Sequence, residues 1–133
     1  MGETHTGRCL CGAVSYQVNG PLREVVGCHC SQCRRQTGLY FAATDANDRD
    51  FRLTAGEDMV QWYRSSPEAQ RGFCRQCGTV LFWKADDSER ISILAGSFDQ
   101  PSGLRFGRHI HVADKGDFYE ICDGLPQDRG ETE

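Results

Sequence analysis

The sequence predicts a single, mainly β domain, and three observations carry that reading. At 133 residues the chain is long enough for one hydrophobic core and too short for two ordinary ones. Its valines, isoleucines and aromatic residues fall in short runs, without the long 3.6-residue periodicity of amphipathic helices. Fifteen glycines and a series of acidic or glycine-containing breaks separate those runs, as turns separate strands.

Taken in order, residues 12–18 (GAVSYQV) alternate as a strand does, and NGPL after them is a turn signal. EVVGC at 24–28 leads into a cysteine cluster. SQCRRQTG then has room for one short helical turn before Gly38, too short to stand without an anchor. LYFAAT (39–44), FRLTAG (51–56) and MVQWYRS (59–65) read as strands. In the last of these Met59, Gln61 and Tyr63 share one face and Val60, Trp62 and Arg64 the other. RGFC and TVLFWKA flank RQCG as two strands flank a turn, and RISILAG (90–96) is the most apolar strand. PSGLRFG reads as a loop, HIHVADKG as a strand with its turn, and FYEI as a further short strand. The tail at 126–133, PQDRGETE, is expected to fray.

Eight cysteines require an account. The N-terminal residues contain no apolar leader and no run reaches the length of a membrane span, so the expected setting is a reducing cytoplasm. In that setting metal ligation explains the cysteines better than a disulfide framework does. Cys9 and Cys11 form C-x-C, and Cys74 and Cys77 form C-x-x-C within CRQCG. The second spacing lets a tight turn aim two thiolates at one ion, with Gly78 letting the chain leave the knuckle. Four thiolates on one tetrahedral zinc would pin the N-terminal segment to a distant hairpin. A lone C-x-x-C also serves as a redox pair, a role that the presence of a second pair argues against.

Cys28, Cys30 and Cys33 form another cluster in VGCHCSQCRRQTG. Three thiolates occupy three corners of a tetrahedron, and catalytic zinc keeps its fourth corner open. The alternative is a closed site completed by His29, His109, His111 or Cys122, of which His29 is awkward because it lies between two ligands. An open three-thiolate zinc is a poor Lewis acid for water but suits a thiol, which coordination deprotonates. Arg34 and Arg35 follow at once, either as a solvated pair or as charges that offset sulfur or hold a carboxylate. Overall, fifteen basic against nineteen acidic side chains give a net charge of -4, which excludes a global attraction to nucleic acid or an anionic membrane.

The segments GRCLCGAVSYQV, CHCSQCRRQTG, AGEDMVQWYRSSPEAQRGFCRQCGTVLFW, ILAGSFDQPSGLR and HIHVADKGDFYEICDGLP resemble, in order and in cysteine spacing, the glutathione-dependent formaldehyde-activating family. The domain of that family has the Mss4-like zinc-binding fold. The resemblance covers nearly the whole chain, taken as one domain over 1–133, and implies small antiparallel sheets held by a structural zinc on Cys9, Cys11, Cys74 and Cys77. It further implies a second zinc on Cys28, Cys30 and Cys33, hence two per chain. The implied activity is that of a carbon–sulfur lyase joining glutathione to formaldehyde or separating their adduct. On that reading His109 or His111, two apart on a strand, would donate a proton, and Arg34, Arg35, Arg105, Arg108 and Lys115 would be available to the carboxylates of the tripeptide. Leu39, Phe106, Phe118 and Cys122 depart from the residues common at those places in the family. The opposing expectation is a non-catalytic zinc module for protein contact or redox sensing, marked by a closed metal and an exposed apolar patch.

Overall fold

A computed structural model describes residues 3–130 of the chain. Alternation builds its smaller sheet. Along β2 (Ser15–Asn19) Tyr16 and Val18 are buried while their neighbours face outward. This strand pairs antiparallel with β1 (Thr4–Arg8) on one side and with β5 (Phe51–Ala55) on the other.

The larger sheet has seven strands. From one edge to the other they are β10 (Phe106–Ile110), β3 (Val25–Cys28), β4 (Phe41–Asn47), β9 (Arg90–Leu94), β8 (Val80–Ala85), β7 (Ala69–Cys74) and β6 (Val60–Ser66). All neighbours are antiparallel except β10 and β3, which run parallel. One core cluster draws on both sheets, with Tyr16 and Val18 from the smaller meeting Ala46, Phe82, Ile91 and Ile93 from the larger. The Tyr16 ring lies 5.4 Å from Phe98 and 5.8 Å from Phe82, both edge-on, the arrangement that aromatic quadrupoles favour. Each large apolar side chain fully buried here contributes about 1.5–3 kcal/mol.

Leu81 and Phe82 are consecutive on β8 yet both are buried. A bulge explains it: Phe73 pairs with Val80 and Gly72 with Phe82, leaving Leu81 as the extra residue on its strand. The single α-helix among the described residues, α1 (Ser31–Thr37), begins at Cys30, whose sulfur accepts from the Cys33 N–H. It ends where Gly38 adopts φ 87° and returns its N–H to Arg34 O at 2.8 Å.

Three details differ from the sequence expectation. Thr4–Arg8 forms β1 although its only buried member is Gly7, because it pairs with β2 through its backbone and not through an apolar face. FYEI forms no strand. The segment expected to fray docks beside β10 instead as far as Gly130: His109 donates its N–H to Pro126 O at 2.9 Å and accepts from the Asp128 N–H at 2.9 Å. An edge strand leaves a row of backbone groups to be satisfied, and the tail satisfies them. Residues 131–133 of that segment lie outside the described residues.

Candidate metal centres and the adjoining cavity

Two turns create the first thiol cluster. Cys9 and Cys11 sit where the chain passes from β1 to β2, and Cys74 and Cys77 where it passes from β7 to β8. The β7–β8 turn closes through Gly78 N–H to Cys74 O at 2.8 Å, and Gly78 takes φ 82°, which a side chain would oppose. Leu10 N–H donates to Thr79 Oγ1 at 3.0 Å and ties the two turns together. The four sulfurs lie within 4.8 Å of one another. Cys9 Sγ and Cys11 Sγ are 3.7 Å apart, Cys11 Sγ and Cys74 Sγ 3.8 Å, which suits a tetrahedral zinc, whose sulfurs stand about 3.8 Å from each other. Donors already face the sulfurs: Val14 N–H reaches Cys9 Sγ at 3.3 Å, Cys77 N–H reaches Cys74 Sγ at 3.4 Å and Gln76 Nε2 reaches Cys11 Sγ at 3.3 Å. The Thr79 hydroxyl and backbone lower the Cys77 thiol to about 5. These are the conditions under which thiolates bind metal.

The second cluster is local. Cys28 ends β3, Cys30 caps α1 and Cys33 lies buried on its first turn. Their sulfurs also fall within 4.8 Å of one another, and no fourth His, Cys, Asp or Glu among the described residues completes the set. Cys122 is exposed and outside it. Hydrogen bonds from the neighbouring thiols of Cys28 and Cys33 push the Cys30 thiol strongly down, and the Cys30 sulfur in turn pushes Cys28 up. All three cysteines line a cavity of about 720 Å³. Phe41 and Trp83 contribute its apolar wall, while Arg23, Glu68, Arg71 and His111 bring polar groups to it. An apolar cleft with a few convergent polar groups is the usual form of a small-molecule site.

Two thiol clusters, one closed and one opening on a cavity, on a strand-rich frame are a specific combination. The family model described as glutathione-dependent formaldehyde-activating enzyme matches residues 4–114, which contain both clusters. The chain belongs to this family. An uncharacterized lyase of Schizosaccharomyces pombe is 27% identical over 119 residues, covering 89% of this chain and 85% of the other. A Halomonas elongata protein, named provisionally as a glutathione-dependent formaldehyde-activating enzyme, is 29% identical over 133 residues, covering 92% and 83%. A crystal structure of a Rhodobacter sphaeroides protein superposes with a TM-score of 0.60 at 22% identity, over 92% of this chain and 98% of that one, and shows that the fold is shared.

Within this member of the glutathione-dependent formaldehyde-activating family, the other sequence-predicted residues are dispersed. His109 and His111 do not share a face. His109 is buried and does not line the cavity, its Nε2 2.8 Å from Asp123 Oδ2 and its Nδ1 2.9 Å from His29 Nε2. His29 continues the chain of contacts to the Tyr119 hydroxyl at 2.5 Å. His111 lies past the end of β10 with φ 55°, which breaks the strand alternation and turns it to the cavity. Arg34 approaches Gly116 from α1. Arg35 faces a separate recess of about 370 Å³. Arg105 and Arg108 are exposed and do not line the cavity, and Lys115 donates to the carbonyls of Gly116 and Tyr119. The cations that do reach it, Arg23 and Arg71, escaped sequence reasoning. The one available signal, for Arg71 alone, was an arginine two residues from Phe73 in a short strand whose other members, Gln70 apart, are small or apolar.

Proposed function

We propose that the chain is a zinc-dependent carbon–sulfur lyase that forms or cleaves the adduct of glutathione with formaldehyde. The observation that carries this reading is the three-cysteine cluster opening on the cavity without a fourth protein ligand. In this reading two zinc ions bind per chain, a structural one on Cys9, Cys11, Cys74 and Cys77 and a reactive one on Cys28, Cys30 and Cys33. The second supplies acidification and orientation of a thiol.

The chain's own residues do the rest. Phe41 and Trp83 exclude water from the thiol, and Arg23 and Glu68 offer opposite charges to the carboxylates and ammonium of a zwitterionic peptide. The thiol gives up its proton to solvent, its sulfur lone pair forms the new bond to the formaldehyde carbon, and the carbonyl electron pair moves onto oxygen. His111, at the cavity wall, donates the proton that gives the hydroxymethyl product. The reverse reaction returns that proton as the carbon–sulfur bond breaks. Since the uncatalysed addition is already feasible, positioning supplies much of the acceleration. Eight unpaired thiols fit a reducing compartment, and we place the protein in the cytoplasm on that ground; among the described residues no helix is long and apolar enough to cross a membrane.

The test combines elemental analysis with exchange NMR of the glutathione–formaldehyde equilibrium. Two zinc ions per chain are expected, one of them missing from a folded Cys30→Ser variant, together with acceleration that this variant lacks. A wild-type protein that leaves the exchange rate at its uncatalysed value refutes the lyase reading.

A further inference from the structure

Arg71 is the cation that the three-cysteine site and its cavity share. It projects from β7 and is only 4% exposed. Its guanidinium is a delocalised positive charge placed in the interior. Such a charge needs a counter-charge, because removing it from water unpaired is strongly unfavourable. No carboxylate among the described residues forms an ion pair with Arg71. Its hydrogen-bond partners are neutral amides, Gln36 Oε1 at 2.8 Å and Gln32 Oε1 at 3.5 Å, and the sulfur of Cys33 at 3.4 Å. The Phe41 ring lies 5.6 Å beneath the guanidinium and Nε has no partner at all. Among the described residues, the sulfur of Cys33 is therefore the one group in direct contact with it that can carry a negative charge.

We infer that Arg71 is a positioning residue that sets the charge of the second metal centre and the affinity of that centre for a thiolate. The inference rests on the three-cysteine cluster being the reactive metal site. Three thiolates on a divalent ion carry one net negative charge, and a bound substrate thiolate makes it two. The positive charge of Arg71, set against the Cys33 sulfur and lining the cavity, favours thiolate ligation at this centre and favours it further once a substrate thiolate adds its own charge. The two glutamine amides accept hydrogen bonds from the guanidinium, and a lysine at this position would keep the charge without the fork.

The experiment uses zinc-loaded, full-length protein and four chains: wild type, Arg71→Met, Arg71→Lys and Gln36→Ala. Release of each zinc is followed by competition with a chromophoric chelator, and glutathione is titrated into cobalt-substituted samples while the thiolate-to-cobalt absorption is recorded. Arg71→Met is expected to weaken the second site on the order of 10- to 100-fold, to weaken glutathione binding further and to leave the first site unchanged. Arg71→Lys should restore most of both affinities, and Gln36→Ala, which keeps the charge, should stay near wild type. Wild-type metal and glutathione affinities in Arg71→Met overturn the inference. So does a Gln36→Ala variant as weak as Arg71→Met, since the arginine would then act only by holding α1. If Arg71→Met does not fold, Arg71→Gln replaces it in the same comparison with lysine. A wild-type second site that binds no metal overturns both this inference and the lyase reading, whereas a charge-dependent metal affinity without lyase activity overturns the lyase reading alone.

Discussion

The zinc proposed on Cys9, Cys11, Cys74 and Cys77 would link the N-terminal turn to the β7–β8 hairpin, and severing that link should lower stability by about 4 kcal/mol. The perturbation is the double variant Cys74→Ser/Cys77→Ser, which removes one whole side of the cluster. Cys11 and Cys74 are 63 residues apart in sequence. A cross-link that closes a loop of that length restricts the unfolded chain by an entropy worth about 4 kcal/mol at 25 °C. Cys28 and Cys33 are five apart, and the same relation gives about 2 kcal/mol for a link between them. Against a total of roughly 5–15 kcal/mol for an ordinary domain, the first loss is a large fraction. Urea unfolding followed by the fluorescence of Trp62 and Trp83 reads it directly, and the melting temperature should fall on the order of 15 °C. The same variant should lose the first metal and keep the second. A double variant with the wild-type urea midpoint and slope refutes the reasoning, because the four thiols would then not cross-link the fold.

Three further outcomes follow from the packing and the cavity. Tyr16→Phe removes a buried contact with Ser97 Oγ, 2.5 Å from the tyrosine hydroxyl, and should cost about 1 kcal/mol in urea unfolding. Burial raises the Tyr16 phenol above its ordinary value of 10.0. Between pH 10 and that higher value the folded state holds a proton that the unfolded state has released, so wild-type stability should fall as pH rises there; Tyr16→Phe should lack this part of the slope. Ile93→Ala, at a fully buried position between the sheets, should cost about 2–5 kcal/mol by calorimetry or urea titration. His111→Asn should reduce the catalysed exchange by on the order of 100-fold with little change in melting temperature, whereas His109→Asn should lower the melting temperature by breaking the buried contacts with His29 and Asp123. Equal effects of the two substitutions on the exchange rate would count against His111 as the donor.

Local chemistry was legible wherever the information was itself local. C-x-x-C with Gly78 specifies a chelating turn whatever surrounds it, and Cys30 and Cys33 are brought together by one turn of α1. Strands such as Phe51–Ala55 and Arg90–Leu94 followed from short β-rich runs between turn residues. FYEI shows the limit of that reasoning, since a strand needs a partner, and beside β10 it is the tail from Pro126 onward that pairs. The pairing of Cys9 and Cys11 with Cys74 and Cys77, and not with another cysteine set, became a spatial fact only when β1–β2 and β7–β8 brought their turns together.

The sequence by itself determined that this is a β-rich domain with two thiol clusters, because alternation and chelate spacing act over a few residues. Only the tertiary structure decided which charges stand beside the open cluster. Arg34 and Arg35 are adjacent to it in the chain and lie elsewhere, while Arg71, thirty-eight residues past Cys33, stands against its sulfur. A buried charge is selected by what packs across from it, and that is set by strand order and register rather than by proximity along the chain.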